Sequence, residues 1–199
     1  MLKLKNRYFL LRHGESPINL KGLVSCWPEK IYSPLTRKGV RQIKKVAEKL
    51  KNKKIDFIFS SDILRTKQTA QIVAKELGLK IKFDKRLRDV GFGIFNGRRI
   101  KEVGKFWLKK GEKLSPIEYY KRRFTIAPPG GENYVEVEKR MMSFLKDTEK
   151  KYKGKNILIV GHKRPLSLLE KMIYGWSRER FIREIVKDKE PKNGEIRKL

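Results

Sequence analysis

Three short runs along the chain, Tyr8–Leu11, Phe57–Phe59 and Ile157–Val160, are apolar at consecutive positions. Such runs fit strands buried on both faces, as in a parallel sheet covered by helices. The predicted strands are Arg7–Leu11, Asp56–Phe59, Lys80–Phe83 and Asn156–Val160, with an edge strand within Gly194–Leu199. Between them the apolar positions recur at helical spacing. Thr36 suits the N-cap of a helix through Leu50, with Val40, Ile43, Ala47 and Leu50 on one face. A second helix runs from Ile63 to Leu77 and ends at Gly78. A third spans Asn133–Tyr152 with Tyr134, Val137, Met141, Leu145 and Thr148 in one stripe, and a fourth opens near Pro165. The middle is less regular: short helices over Arg98–Lys109 and Pro116–Arg123 are interrupted by Gly111 and closed by Pro128-Pro129-Gly130-Gly131. This alternation predicts an α/β fold with a largely parallel sheet, as one domain over 1–199, with a lid or specificity insertion at 97–128.

Composition narrows the picture. The 199 residues contain no internal repeat and one cysteine, Cys26, so no intramolecular disulfide forms. No base lies near Cys26 in the sequence to activate it. No stretch approaches the about 20 apolar residues of a membrane span, and the polar start Met1–Arg7 does not read as a signal peptide. A cytoplasmic enzyme is the expectation. Lys and Arg number 51 against 22 Asp and Glu, a formal charge of +29. That excess fits a lysine-rich solvated surface of the thermophile kind and equally a field that attracts anions and binds nucleic acid non-specifically. Composition does not separate the two.

The chemistry concentrates where predicted strands end. The first runs into Arg12-His13-Gly14-Glu15, the second into Ser60-Ser61 with Arg65 one helical turn on, and the fourth into Gly161-His162. Ligands of open α/β sheets bind beyond the carboxyl ends of the strands, so Arg12, His13, Arg65 and His162 are expected on one rim. Two guanidinium forks there would bind a phosphate dianion. Phosphoryl transfer needs mainly positioning and charge stabilisation, and an imidazole nitrogen can carry the group covalently. Gly14 would let the backbone approach the bound anion. His13 and His162 are the only histidines in the chain.

In these motifs the chain resembles the histidine phosphatase superfamily, the phosphoglycerate mutase-like family. The resemblance lies in Leu11-Arg12-His13-Gly14-Glu15-Ser16 with Asn19 following, Leu35-Thr36-Arg37-Lys38-Gly39 with Gln42, Ser60–Ala70, Pro129-Gly130-Gly131-Glu132 and Gly161-His162. It implies a three-layer sandwich whose central, mostly parallel sheet is flanked by helices. It also implies His13 as the nucleophile, Arg12, Arg65 and His162 as the phosphate pocket, Asn19 as a substrate-binding residue, and no metal or organic cofactor. The family's acid is usually Glu; here Asp89 occupies that place in Leu87–Gly93 and is the expected proton donor, with Glu15 and Glu132 as the next carboxylates in the motif loops. Two departures stand out: Lys163-Arg164 follow His162 where the family often has Gly, and Asn96 replaces a frequent Glu. Lys163 joins the substrate-binding candidates, the alternative being a side chain in solvent.

The activity implied is a metal-independent phosphomonoesterase acting on a small phosphorylated metabolite and releasing inorganic phosphate. The alternative is a phosphoglycerate mutase, which would return the phosphoryl group to glycerate. Mutases of the family generally carry a longer insertion than the compact stretch from Gly97 to Pro128. A basic nucleic-acid-binding protein on the same fold ranks lower, because no recognition motif accompanies the charge.

Overall fold

The computed structural model describes residues 2–108 and 112–199. Five strands form one sheet: β1 (Arg7–Arg12), β2 (Phe57–Ser60), β3 (Ile81–Phe83), β4 (Asn156–Gly161) and β5 (Ile196–Lys198), in the order β3-β2-β4-β1-β5. The first four are parallel, and β5 pairs antiparallel with the outer side of β1. Alternation along the central strands builds two cores. Tyr8, Leu10, Phe59, Ile157 and Ile159 face one side, where α6 (Tyr134–Lys151), α7 (Lys163–Tyr174) and α8 (Arg178–Val186) pack. Phe9, Leu11, Ile58, Leu158 and Val160 face the other, against α2 (Arg37–Lys51) and α3 (Leu64–Leu77). The fold is therefore the expected three-layer sandwich. Among the described residues no helix is long and apolar enough to cross a membrane.

Most predicted elements appear within two or three residues of their expected ends. The Thr36 hydroxyl accepts the Gly39 N–H as N-cap of α2, and Gly78 caps α3 in a left-handed conformation. The stripe on α6 is buried as expected. The face of α2 needs correction: Val40 is only partly buried, and Gly39 and Val46 join Ile43, Ala47 and Leu50 inside. Asp56 lies outside β2, its carboxylate accepting the Asn156 N–H at 2.7 Å and so pinning the start of β4. The helix expected over Arg98–Lys109 shrinks to α4 (Ile100–Gly104) and a 3-10 turn at Lys105–Trp107, because Trp107 turns inward and donates its indole N–H to the Ile126 carbonyl. The expected end at Lys109 and the interruption at Gly111 lie outside the described residues. The second short helix is α5 (Pro116–Thr125). Two helices were not expected: α1 (Pro17–Lys21), and α8, capped by Ser177 and buried through Phe181, Ile182 and Ile185.

Strand register positions the site. Arg12 pairs with Gly161 and Ser60 with Val160, so His13, Ser61 and His162 leave the sheet side by side. Gly14 has a different task from the one its place in the motif suggests. A Cβ there would lie 2.7 Å from the Gly39 carbonyl oxygen, and one on Gly39 would lie 2.2 Å from the Glu15 carbonyl oxygen. The two glycines let the first turn of α2 press against the loop after β1. Gly39→Ala should therefore destabilise the protein by about 1–3 kcal/mol through overpacking, measured by urea unfolding. Gly104→Ala, where a Cβ meets nothing within 4 Å, is the control expected to be neutral or slightly stabilising.

Candidate active site

Arg65 stands in the first turn of α3, and its residue is 1% exposed. Its Nε donates to His13 Nε2 at 3.2 Å. Its Nη2 donates to the Ser25 carbonyl at 3.0 Å, to Asp89 Oδ2 at 3.1 Å and to His162 Nδ1 at 3.1 Å. A guanidinium only donates, so His13 Nε2, facing the single Nε–H, is an acceptor, while the two hydrogens of Nη2 are shared among three neighbours. His13 Nδ1 therefore carries the proton and donates to the Gly14 carbonyl at 2.8 Å, and His162 Nε2 is hydrogen-bonded with Ser61 Oγ at 3.1 Å. Burial, with Arg65 and Arg12 beside it, holds the His13 imidazolium well below its ordinary value. Burial and Arg65 do the same for His162.

His13 and Arg65 line a cavity of about 290 Å³ together with Arg12, Asn19, Asp89 and Lys163. His162 lies against them, its ring centroid 5.4 Å from that of His13. Thus the structure brings every expected site residue together. Each arginine keeps a nitrogen in reserve: Arg65 Nη1 and Arg12 Nε are buried and have no hydrogen-bond partner among the described residues. A buried N–H without a partner is costly, and an anion's oxygens would satisfy both. Asn19 directs its amide oxygen inward, where it accepts from Ser16 and Asn193, which leaves Nδ2 for a ligand. Lys163 is on the cavity wall, but its ammonium is held by Glu190 at 3.2 Å and Asp188 at 3.4 Å. Asp89 is 24% exposed, with Oδ2 also 3.5 Å from His162 Nδ1. The other two motif carboxylates are spent elsewhere: Glu15 on Thr36 and Lys38, Glu132 on Arg140 and the Gly91 N–H.

Asn96 is buried, bonded to Cys26 and Pro28, and braces the loop beside the cavity. Cys26 is buried too, accepts the Phe92 N–H at 3.3 Å, and has its thiol pushed up by that burial. No group of three His, Cys, Asp or Glu side chains among the described residues is arranged to hold a metal ion.

Several contributors were not evident from the motifs. Ser61 orients His162, a role its place after β2 could have suggested. Arg123 on α5 is 6% exposed and lines the cavity, with its guanidinium 4.1 Å from the Trp107 ring centroid and 4.8 Å from that of Tyr134. No carboxylate pairs with it among the described residues; its Nη1 meets only the Tyr119 hydroxyl at 3.2 Å, and its Nε has no partner. Its neighbour Arg122, by contrast, is paired with Glu112.

Comparison with known proteins identifies the family. The model of the histidine phosphatase superfamily (branch 1) matches residues 8–190. The chain belongs to the histidine phosphatase superfamily. The probable phosphoglycerate mutase GpmB of Salmonella choleraesuis is 32% identical over 181 residues, covering 87% of this chain and 78% of that protein. Among solved structures, the mycobacterial glucosyl-3-phosphoglycerate phosphatase complexed with VO3 superposes with a TM-score of 0.78 at 23% identity, covering 97% of this chain and 90% of that one. The alpha-ribazole phosphatase of Shigella flexneri gives 0.76 at 24% identity, covering 96% and 89%. These two likenesses establish a shared fold. In this histidine phosphatase superfamily member burial and the neighbouring arginines disfavour the charged form of both imidazoles.

The neutral imidazoles have a consequence for stability. Both histidines take up protons less readily when folded than the ordinary 6.5 of the unfolded chain. Above that value they leave stability unchanged; as pH falls below it, the unfolded chain binds two protons that the folded chain refuses, and stability drops. Urea midpoints compared between about pH 7.5 and pH 5 should fall, and less so in a His13→Asn/His162→Asn double variant. NMR of the two imidazoles should show neutral rings below pH 6.5.

Proposed function

We propose that the protein is a phosphomonoesterase that transfers a phosphoryl group from a small phosphorylated metabolite to His13 Nε2 and then to water. The observation that carries this reading is the unprotonated Nε2 of His13, held beneath two arginines that each keep a free buried N–H. In the first step Nε2 attacks phosphorus, the bond to the ester oxygen breaks, and Asp89 gives its proton to the departing alkoxide. Arg12 and Arg65 hold the phosphoryl oxygens, with His162 and Asn19 beside them. The Nδ1–H bond to the Gly14 carbonyl steadies the charge that the imidazole acquires. In the second step Asp89 takes a proton from water, the water oxygen bonds phosphorus, and the N–P bond breaks, releasing inorganic phosphate. No metal or organic cofactor enters this scheme.

Hydrolysis rather than transfer to a second acceptor is favoured by the partial exposure of Asp89 and Lys163, which gives water a path to the phosphohistidine. The mutase reading draws on the relative named as a probable phosphoglycerate mutase. Release of phosphate without a bisphosphoglycerate primer separates the two. In this reading the chain works as one domain, and the segment 97–128 sets specificity by lending Ile100, Val103, Tyr119, Tyr120 and Arg123 to the cavity wall. A buried guanidinium without a carboxylate is costly, so the uncompensated Arg123 points to a leaving group that carries a second anionic group.

Quenching with radiolabelled substrate should trap acid-labile label on the wild type and none on His13→Ala; near-wild-type turnover by His13→Ala would overturn the scheme. Asp89→Asn should slow single-turnover phosphorylation by alkyl phosphates far more than by p-nitrophenyl phosphate, whose phenolate leaves unprotonated. Equal losses would remove Asp89 from the acid role. Arg123→Met should lower kcat/KM for phosphoesters bearing a carboxylate or second phosphate by about 10- to 100-fold, and for uncharged-alcohol esters much less. A uniform loss across both classes would refute the second-anion reading.

A further inference from the structure

The loop between α8 and β5 grips the nucleophile from the side opposite Arg65. Gly194 N–H reaches the carbonyls of Arg12 and His13, each at 3.2 Å, and the Arg12 N–H donates to the Glu195 carbonyl at 3.2 Å. Arg12 Nη1 donates to the Pro191 carbonyl at 3.0 Å. At the centre of this loop, Asn193 Nδ2 donates to the His13 carbonyl at 3.1 Å, to Asn19 Oδ1 at 3.3 Å and to the Gly14 carbonyl at 3.4 Å. The Gly14 carbonyl is also the acceptor of His13 Nδ1–H. Asn193 lies beyond residue 190, where the match to the superfamily ends.

We infer that Asn193 is a positioning residue for phosphoryl transfer, acting on the His13 ring through the carbonyls of His13 and Gly14. Glycine has more backbone freedom than any other residue, so a carbonyl on Gly14 keeps its direction only if something outside the residue holds it. Asn193 supplies part of that hold: its two amide hydrogens are shared among the His13 carbonyl, Asn19 Oδ1 and, at the longest distance, the Gly14 carbonyl, which in turn orients the His13 ring. The partner of one imidazole nitrogen sets which face and which lone pair the other presents. With Nδ1 carrying the proton, Nε2 keeps its lone pair, which accepts from Arg65 Nε at 3.2 Å and turns to phosphorus as that N–H passes to a phosphoryl oxygen. The same amide also touches Asn19 Oδ1, so one side chain ties the ring of the nucleophile to a second residue of the pocket.

This inference rests on His13 as the phosphoryl acceptor, and the test keeps the two claims apart. Rapid-quench single-turnover phosphorylation by radiolabelled p-nitrophenyl phosphate would be compared in wild type, Asn193→Ala, Asn193→Asp and Asn193→Ser. The Ala variant should phosphorylate His13 at least about tenfold more slowly. The Asp variant should be slower still, because it sets an acceptor against three acceptors. The Ser variant, which keeps one donor, should recover part of the rate. Inhibition by inorganic phosphate should change less than the rate does, since Arg12 and Arg65 remain. The His13 Nδ1–H resonance should shift or broaden while that of His162 does not, a signature that mere loop loosening would not select. Wild-type phosphorylation by the Ala variant, or equal disturbance of both histidine signals, would overturn the proposal. An unlabelled wild type would instead defeat the reading of His13 as nucleophile, and the resonance comparison would still decide the link from Asn193 to its ring.

Discussion

The buried guanidinium of Arg65 organises everything around it. Removing such a charge from water is expensive unless each N–H finds a partner. Here Nε and Nη2 have the Ser25 carbonyl, the Asp89 carboxylate and the two imidazoles, while Nη1 has no partner among the described residues. Because Nε can only donate, it sets the tautomer of His13, and burial together with the positive charge of Arg65 opposes protonation of both imidazoles. One buried guanidinium thus makes the pocket positive and, with burial, disfavours the charged form of the His13 imidazole.

That arrangement depends on contacts that tolerate little change. Arg65 is aimed from the start of α3, and Glu29 helps hold that start by accepting the Leu64 N–H. The loop bearing His13 is pressed on one side by α2, through the paired glycines Gly14 and Gly39, and held on the other by Asn193 and Gly194. The Thr69 hydroxyl accepts the Gly14 N–H at 3.2 Å, so the same short loop is also tied to α3. Three elements distant in sequence therefore converge on a single tripeptide.

The excess of positive charge gains a local meaning beside this site. Many of the acidic groups are engaged: Glu190 binds Lys163 and Arg164, Asp62 binds Arg88, and Glu132 binds Arg140. Around the cavity Arg12 and Arg123 have no carboxylate ion pair among the described residues, so the local field is positive.

Residues near one another in sequence made the layers and the rim legible. Apolar runs of period two or less marked the central strands, and Thr36 and Gly78 marked helix ends, because these signals act over a few residues. His13 and His162 announced themselves by following buried strands, where a parallel sheet must present its loops. The α8 helix was missed although Ser177 and the spacing of Phe181, Ile182 and Ile185 carried its signal, since charged residues surround them. What the linear chain could not show depends on partners far along it. Arg123 and Arg122 look alike in sequence, yet of the two only Arg122 has a carboxylate partner among the described residues, in Glu112. Lys163 looks like a phosphate ligand until Asp188 and Glu190 fold back onto its ammonium. The tautomers of the histidines, the hold of Asn193 on Gly14 and the orphaned N–H groups of Arg12 and Arg65 are properties of packed neighbours. Tertiary structure alone decides them, because a hydrogen bond depends on distance and direction in space and not on separation along the chain.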